Sequence, residues 1–406
     1  MSREAILGGS PTATGSRSLL RRMNTLGILR RLADGPKTQR ELASDSGLSR
    51  TAVDAVLADL DEMGWIESRD PRGSGQPGRP AAMYGLREGL GILLSLDIGA
   101  NHIEGVISDL AGGVLAQRSL AIGDQAAADD RIALALKLSE SLLEECGHSV
   151  TDLWAACIGS PGVIDASGIV RHFGGDGMPG WVGLNLRERF ERDLGCRVLV
   201  EGDVALGAQA ELVEGCAAGF NDVVYVLCGV RTSAAVILDG RVRRGAHGAA
   251  GIVGELSELK WRELNERYGA DLLPTDRPSR EQIFASAREG DEVALAVMDE
   301  FADDLAMGAS AMILAVDPEL LVIGGGSAPG ADVFLDDFRR HLARRCPEVP
   351  DILVSNLGSE AVARGGLRVA NLHVFSILEA SVTENDTFPS PGQTQIALHP
   401  PTALVK

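Results

Sequence analysis

Three groups of residues in this chain have types and spacing that could do chemistry. Leu96-Asp-Ile-Gly-Ala-Asn101 sets a carboxylate, Asp97, and a glycine turn at Gly99 directly after an apolar strand. The amides of such a turn can hold a phosphate or a metal-bound phosphate, although Asp-x-Gly is also an ordinary β-turn. Val198-Leu-Val-Glu-Gly-Asp203 ends a second apolar strand on two carboxylates at the start of a helix. Asp203 there can take a proton from a substrate hydroxyl, and can equally serve as a helix cap. Arg50 and Thr51 open a short amphipathic helix, where they can reach base edges or phosphates of DNA while the helix amides hold the backbone.

The elements that must position Arg50 and Thr51 are legible. The spacing Leu19, Met23, Leu26, Leu29 predicts one apolar face of a first helix. Thr38-Gln-Arg-Glu41 is a capping box that opens a second helix, which Gly47 ends. Ser49 caps the third, in which Val53, Val56, Leu57 and Leu60 form a buried stripe and Thr51, Ala55 and Ala58 face outward. With Ala43 small enough for close crossing, the pair is a helix-turn-helix. Trp65-Ile-Glu-Ser, the Pro/Gly-rich stretch from Asp70 to Pro80 and Ala81-Met-Tyr-Gly-Leu86 add a hairpin, making a winged helix. In the wing, Pro80 keeps Arg79 extended and Gly78 allows close backbone approach, which suits an arginine in a narrow minor groove. The expected DNA-binding residues are therefore Thr38, Ser49, Arg50, Thr51, Ala55, Gly78, Arg79 and Pro80. Arg17, Arg21, Arg22, Arg30 and Arg31 along the first helix can add phosphate contacts. Asp54 and Asp59 count against a tight, general grip on DNA. The competing reading makes these helices a packing or dimerisation unit.

At 406 residues the chain exceeds what one hydrophobic core supports, and its 45% hydrophobic and 23% charged residues exclude a largely disordered protein. A net charge of −19 argues against a nucleic-acid-coating protein, but the charge is unevenly spread. Residues 1–90 hold 13 Lys and Arg against 11 Asp and Glu, and the remainder 25 against 46, so a head of +2 precedes a body of −21. The six cysteines show neither a disulfide framework nor a zinc knuckle. No apolar run is long enough for a membrane span and no secretory signal opens the chain, so a cytoplasmic protein is expected. Residues 1–16 and 384–406 are expected to be disordered tails, 17–88 the winged helix-turn-helix, and 89–383 a larger domain. In that domain Leu93–Gln117 and Val223–Arg244 are two similar meanders, each followed by helices, which predicts a duplicated α/β unit with a cleft between its halves.

In this order the motifs resemble the ROK family (repressor, open reading frame, kinase), and within it the transcriptional repressors with an N-terminal winged helix. Leu96-Asp-Ile-Gly-Ala is similar to the family's first phosphate motif, and Ile158-Gly-Ser-Pro-Gly-Val-Ile-Asp165 to its Gly-Pro-Gly segment. Pro179-Gly-Trp181 with Leu186, Glu201-Gly-Asp203, and Asp317 to Gly326 resemble the stretch before the catalytic strand, the Glu-Asn-Asp motif and the adenosine motif. The resemblance implies a winged helix-turn-helix followed by an actin-like, duplicated ribonuclease H-like α/β domain, assembled as a homodimer or tetramer and taking a sugar or sugar derivative.

Departures from the family pattern cluster at the kinase chemistry. The family's glycine-rich second phosphate motif is here Gly229-Val-Arg-Thr-Ser-Ala-Ala235, with bulky Arg231 and Thr232. Phosphoryl transfer is mostly positioning and charge stabilisation, so Asp203 without that cradle would accomplish little. The family's sugar-binding glutamate corresponds to Ile252, its zinc-binding histidine to Glu255, and the asparagine of Glu-Asn-Asp to Gly202. No cysteine lies between Leu256 and Ser279, so the family's structural zinc site is not expected. Trp261, Leu264 and Tyr268, at helical spacing, are expected in a core or interface. Asp97, Gly99, Asn101, Gly202, Asp203, Arg231, Thr232, Ile252 and Glu255 then form the remnant of a phosphate and effector site, with no catalytic residue beyond the remnant Asp203 and neither metal nor cofactor. The expected protein is a DNA-binding regulator, a repressor of double-stranded operator DNA, whose cleft senses a sugar, a sugar phosphate held by Arg231, or another small effector. The alternative is an ATP-dependent sugar kinase with an accessory DNA-binding domain.

Overall fold

The computed structural model describes residues 13–69, 82–174, 177–229, 231–261, 264 and 279–399. The head comprises α1 (Ala13–Ala33), β1 (Lys37–Thr38), α2 (Gln39–Ser46), α3 (Arg50–Glu62), β2 (Ile66–Arg69) and β3 (Met83–Leu86), with the strands in antiparallel order β1-β3-β2. Both predicted caps form. The Thr38 hydroxyl accepts from the amide of Glu41, whose carboxylate accepts from the amide of Thr38 at 2.7 Å, and Ser49 accepts from Ala52. Gly47 ends α2 at φ 70°, a conformation that favours glycine. Val53, Val56, Leu57 and Leu60 are buried and Thr51, Ala55 and Ala58 exposed.

The first lobe follows: β4 (Ile92–Ile98), β5 (His102–Ser108), β6 (Val114–Ala121), α4 (Ala128–Glu145), β7 (Leu153–Ser160), β8 (Val163–Ile164), β9 (Val170–His172), α5 (Leu186–Leu194), β10 (Arg197–Gly202) and α6 (Asp203–Val213). The second holds β11 (Val223–Cys228), β12 (Thr232–Leu238), β13 (Arg241–Arg243), α7 (Arg280–Arg288), α8 (Glu292–Val316), β14 (Leu320–Gly324), α9 (Leu335–Ala343) and β15 (Asp351–Val354). Their sheets run β10-β7-β4-β5-β6 and β13-β12-β11-β14-β15, a three-strand meander extended by two parallel strands each time. This is the predicted duplication. Trp261 and Leu264 are fully buried in the second lobe, where the Trp261 indole donates to Leu305 O at 3.0 Å; Tyr268 lies outside the described residues.

The chain then returns to the first lobe as α10 (Ala361–Glu384), which crosses β4 and α6 closely. A Cβ at Gly365 would stand 1.8 Å from Leu206 O, and one at Gly366 2.1 Å from Ser95 Oγ, so only glycine permits this approach. Further along, Leu378 and Val382 join Leu26, Leu29 and Trp65 of the head in one continuous core. Trp65 meets Trp154 edge to face with ring centres 5.9 Å apart, and Phe388 at 6.3 Å, while its indole donates to Pro389 O at 2.9 Å.

Three expectations are corrected. The tail from Glu384 contains α11 (Pro391–Leu398), opened by a Ser390/Gln393 capping box, with Thr394 and Leu398 buried. Its few apolar residues suffice because Phe388 packs on Trp65 and Leu398 joins the same apolar core, and tertiary packing outweighs a polar composition. At the other end α1 begins at Ala13, inside the expected tail. Met23 is 55% exposed, because the buried face of α1 turns through Thr25, Leu26, Ile28, Leu29 and Leu32. Gly78, Arg79 and Pro80 lie outside the described residues.

A chain ending at Glu384 lacks Phe388, Pro389 and Leu398. We expect it to lose about 3 kcal/mol or more in denaturant unfolding, with red-shifted tryptophan emission as Trp65 becomes wet. An unchanged midpoint and spectrum would contradict this packing.

Candidate functional site

Two regions can carry function. On the head, Arg50, Thr51 and Ala55 share the exposed face of α3, whereas the hydroxyls of Thr38 and Ser49 are spent on helix amides. Of the α1 arginines expected to contact phosphates, the side chain of Arg17 lies outside the described residues and the other four are engaged within the chain. Arg21 pairs with Asp59 at 2.6 Å and Arg30 with Glu379 at 2.8 Å; Arg22 donates to Val382 O and Asp386 O, and Arg31 to Asp45 O. Arg21 and Arg31 therefore fasten the head to itself, Arg30 ties it to α10, and Arg22 ties it to α10 and the segment beyond.

Between the lobes lies a cavity of about 270 Å³ lined by Asp97, Asn101, His102, Phe173, Asp203 and Arg231. Val362, at the start of α10, also borders it. Asp97 ends β4 and His102 opens β5, and the turn between them brings His102 Nε2 within 2.9 Å of Asp97 Oδ2. Gly99 makes room: a Cβ there would lie 2.5 Å from His102 Cε1. That hydrogen bond to Asp97 holds the imidazole above its ordinary range. Asp203 is pushed up to about 7, first by burial and then by the charge of Asp97, against the Val204 amide that donates to it at 2.7 Å. Arg231 stands over the ring of Phe173 at 4.0 Å.

The other predicted residues are not brought into this cleft. Thr232 begins β12 and is buried, its hydroxyl 3.8 Å from Cys228 Sγ. Gly202 and Ile252 line a separate hollow of about 20 Å³, where Arg244 pairs with the burial-raised Glu201 at 2.8 Å. That space admits about one water, far less than a sugar. Glu255 pairs with His172 at 3.0 Å. Among the described residues no group of three His, Cys, Asp or Glu can hold a metal, so the donors around Glu255 do not fit the tetrahedral zinc site of the resembled family.

Two positions escaped the sequence reading. His102 becomes visible only when the β4–β5 turn folds it back on Asp97. Arg131 is fully buried and donates to Gly99 O at 2.7 Å, Ala100 O at 2.9 Å and Gly123 O at 2.9 Å, clamping the turn from behind. Its signal was a lone arginine in the buried stripe Ala128, Ile132, Ala135, Leu138 of α4.

The ROK family matches residues 93–258 and 262–372, more than half the chain. This chain belongs to the ROK family. It is 22% identical to the xylose repressor of Caldicellulosiruptor bescii over 368 residues, which span 82% of this chain and 90% of that protein. It is also 22% identical to a glucokinase of Halalkalibacterium halodurans over 312 residues, 67% of this chain and 93% of the glucokinase. Among solved structures, a ROK family transcriptional regulator described as a homologue of the E. coli MLC protein superposes with a TM-score of 0.66 at 20% identity, covering 90% of this chain and 100% of that one. A ROK family glucokinase from Streptomyces griseus gives 0.56 at 22% identity, covering 70% and 100%. The fold is therefore the winged helix followed by the two actin-like lobes of ROK proteins.

Asp203 has a direct consequence for stability. Its carboxyl stays protonated in the fold up to about pH 7, whereas the unfolded chain releases that proton near 3.8, so the group subtracts stability as pH rises through this window. Asp203→Asn should melt a few degrees above the wild type at pH 8 and level with it near pH 4; no gain at pH 8 would contradict the burial argument.

Proposed function

We propose that this protein is a sequence-specific DNA-binding transcriptional regulator, a cytoplasmic repressor, whose actin-like lobes serve dimerisation and effector sensing and not catalysis. The observation that carries this reading is the head itself. The family match begins at residue 93, outside the winged helix, and the regulator structure covers 90% of the chain where the glucokinase covers 70%. In this reading Arg50, Thr51 and Ala55 enter the major groove, the capped starts of α2 and α3 at Thr38 and Ser49 meet phosphates, and Gly78-Arg79-Pro80 enters the minor groove. The strongly acidic body is repelled by DNA, so affinity depends on two correctly spaced heads of a dimer and falls steeply with salt. The cleft with Asp97, Asn101, His102, Asp203 and Arg231 takes the effector, a small molecule of sugar, sugar phosphate or other class.

The alternative, an ATP-dependent sugar kinase with a DNA-binding head, has Asp203 in its favour, a carboxyl poised near neutrality at the cleft floor. Against it stand the loss of glycines from residues 229–235 and the single-water hollow beside Ile252. ATP-dependent phosphorylation of a hexose panel, abolished by Asp203→Asn, would establish that alternative.

Replacing Arg50 and Thr51 by alanine should weaken binding to the protein's own upstream DNA by at least roughly tenfold in gel-shift titrations. The fold should be unchanged, because both side chains are exposed. Equal affinity of the double variant would overturn the assignment of α3.

A further inference from the structure

The surface of α3 that presents Arg50 also presents a carboxylate. Asp54 lies one helical turn after Arg50, and both are exposed on the same face with Thr51, Ala55 and Ala58. Most charges on a DNA-facing helix are basic, because each acidic group faces the phosphates at an electrostatic cost. Asp54 is nevertheless held in place: the side-chain amide of Gln39, the first residue of α2, donates to Asp54 Oδ1 and at 3.3 Å to Arg50 O. Gln39 thus ties the start of α2 to the first two turns of α3 through one amide. Among the described residues, Asp54 Oδ2 takes no hydrogen bond.

We propose that Asp54, positioned by Gln39, is a specificity-determining residue that selects a cytosine in the operator half-site beside a guanine read by Arg50. This rests on the regulator reading above. A carboxylate only accepts hydrogen bonds, and the base-edge donors of the major groove are the N4 amine of cytosine and the N6 amine of adenine. Adenine sets its N7 acceptor beside that amine, which repels a carboxylate, so cytosine is the matched base. Arginine pairs bidentately with guanine O6 and N7. Four residues of helix advance about 6 Å, less than two base-pair steps of about 3.4 Å, so the two bases lie no more than two pairs apart. The carboxylate also repels sites that offer no amine to offset its charge, which makes it a device against wrong sequences as well as a contact to the right one.

The test is selection of binding sites from a random duplex library by the full-length protein, its Asp54→Asn variant and its Gln39→Ala variant, followed by titration of selected and scrambled duplexes. The wild type should enrich half-sites with guanine and cytosine no more than two pairs apart. Asp54→Asn should keep the guanine, move the cytosine towards adenine, lose roughly tenfold discrimination at that position and bind scrambled duplex at least as tightly as the wild type. Gln39→Ala should keep the motif with weaker cytosine preference. A wild type that enriches no motif would bring down the regulator reading itself. If it enriches one and Asp54→Asn selects the same bases with the same discrimination, or loses affinity evenly across all duplexes, the regulator reading stands and Asp54 is not a reader.

Discussion

The burial of Trp65 is the constraint on which the architecture depends. This residue belongs to the head by sequence, yet its ring is enclosed by Trp154 of the first lobe and Phe388 of the chain end, and its indole hydrogen is satisfied by Pro389 O. A buried indole carries both a large apolar area and a polar atom that needs a partner, so its surroundings are specified twice. The head is consequently part of one core with the first lobe. Hydrogen bonds from Arg22 to the carbonyls of Val382 and Asp386 and the Arg30–Glu379 ion pair add to this attachment, although an exposed ion pair contributes little compared with the apolar core.

Helix α10 gives that core its reach. Its 24 residues extend about 36 Å at 1.5 Å each, from Val362 at the rim of the cleft to Leu378 and Val382 beneath α1. The glycine pair Gly365 and Gly366 seats its first turns against α6 and β4, the two elements that carry Asp203 and Asp97. Cleft and head therefore share a single rigid element. The polar lining of the cleft is fixed by the fold: Arg131 holds the turn after Asp97, His102 folds back on that carboxylate, and burial raises the Asp203 carboxyl.

Much of this organisation was legible because it follows from local rules. The Thr38 capping box, the Ser49 cap, Gly47 and the Val53–Leu60 stripe define α2 and α3 by hydrogen-bonding and periodicity, and the two similar meanders announce the duplicated sheets. What escaped was set by long-range packing. The helix Pro391–Leu398 has a readable Ser390/Gln393 box, but the segment that leads into it is held at Phe388 and Pro389 by Trp65, more than 300 residues earlier. Met23 fits a helical stripe by spacing and is exposed because the neighbouring elements meet α1 on another side. In the cleft, motif alignment located Asp97, Asn101, Asp203 and Arg231, while Thr232, Gly202, Ile252 and Glu255 fold into other surroundings. Motif proximity along a strand does not say which face a side chain takes.

The central claim is that the winged heads of paired chains read a defined DNA site. Footprinting of the full-length protein on the DNA upstream of its own gene tests it most directly. The account predicts two protected half-sites whose centres lie about one helical turn, about 34 Å, or a whole multiple apart. Absence of protection at concentrations where the folded protein is intact, or protection without a defined pair of half-sites, would contradict it.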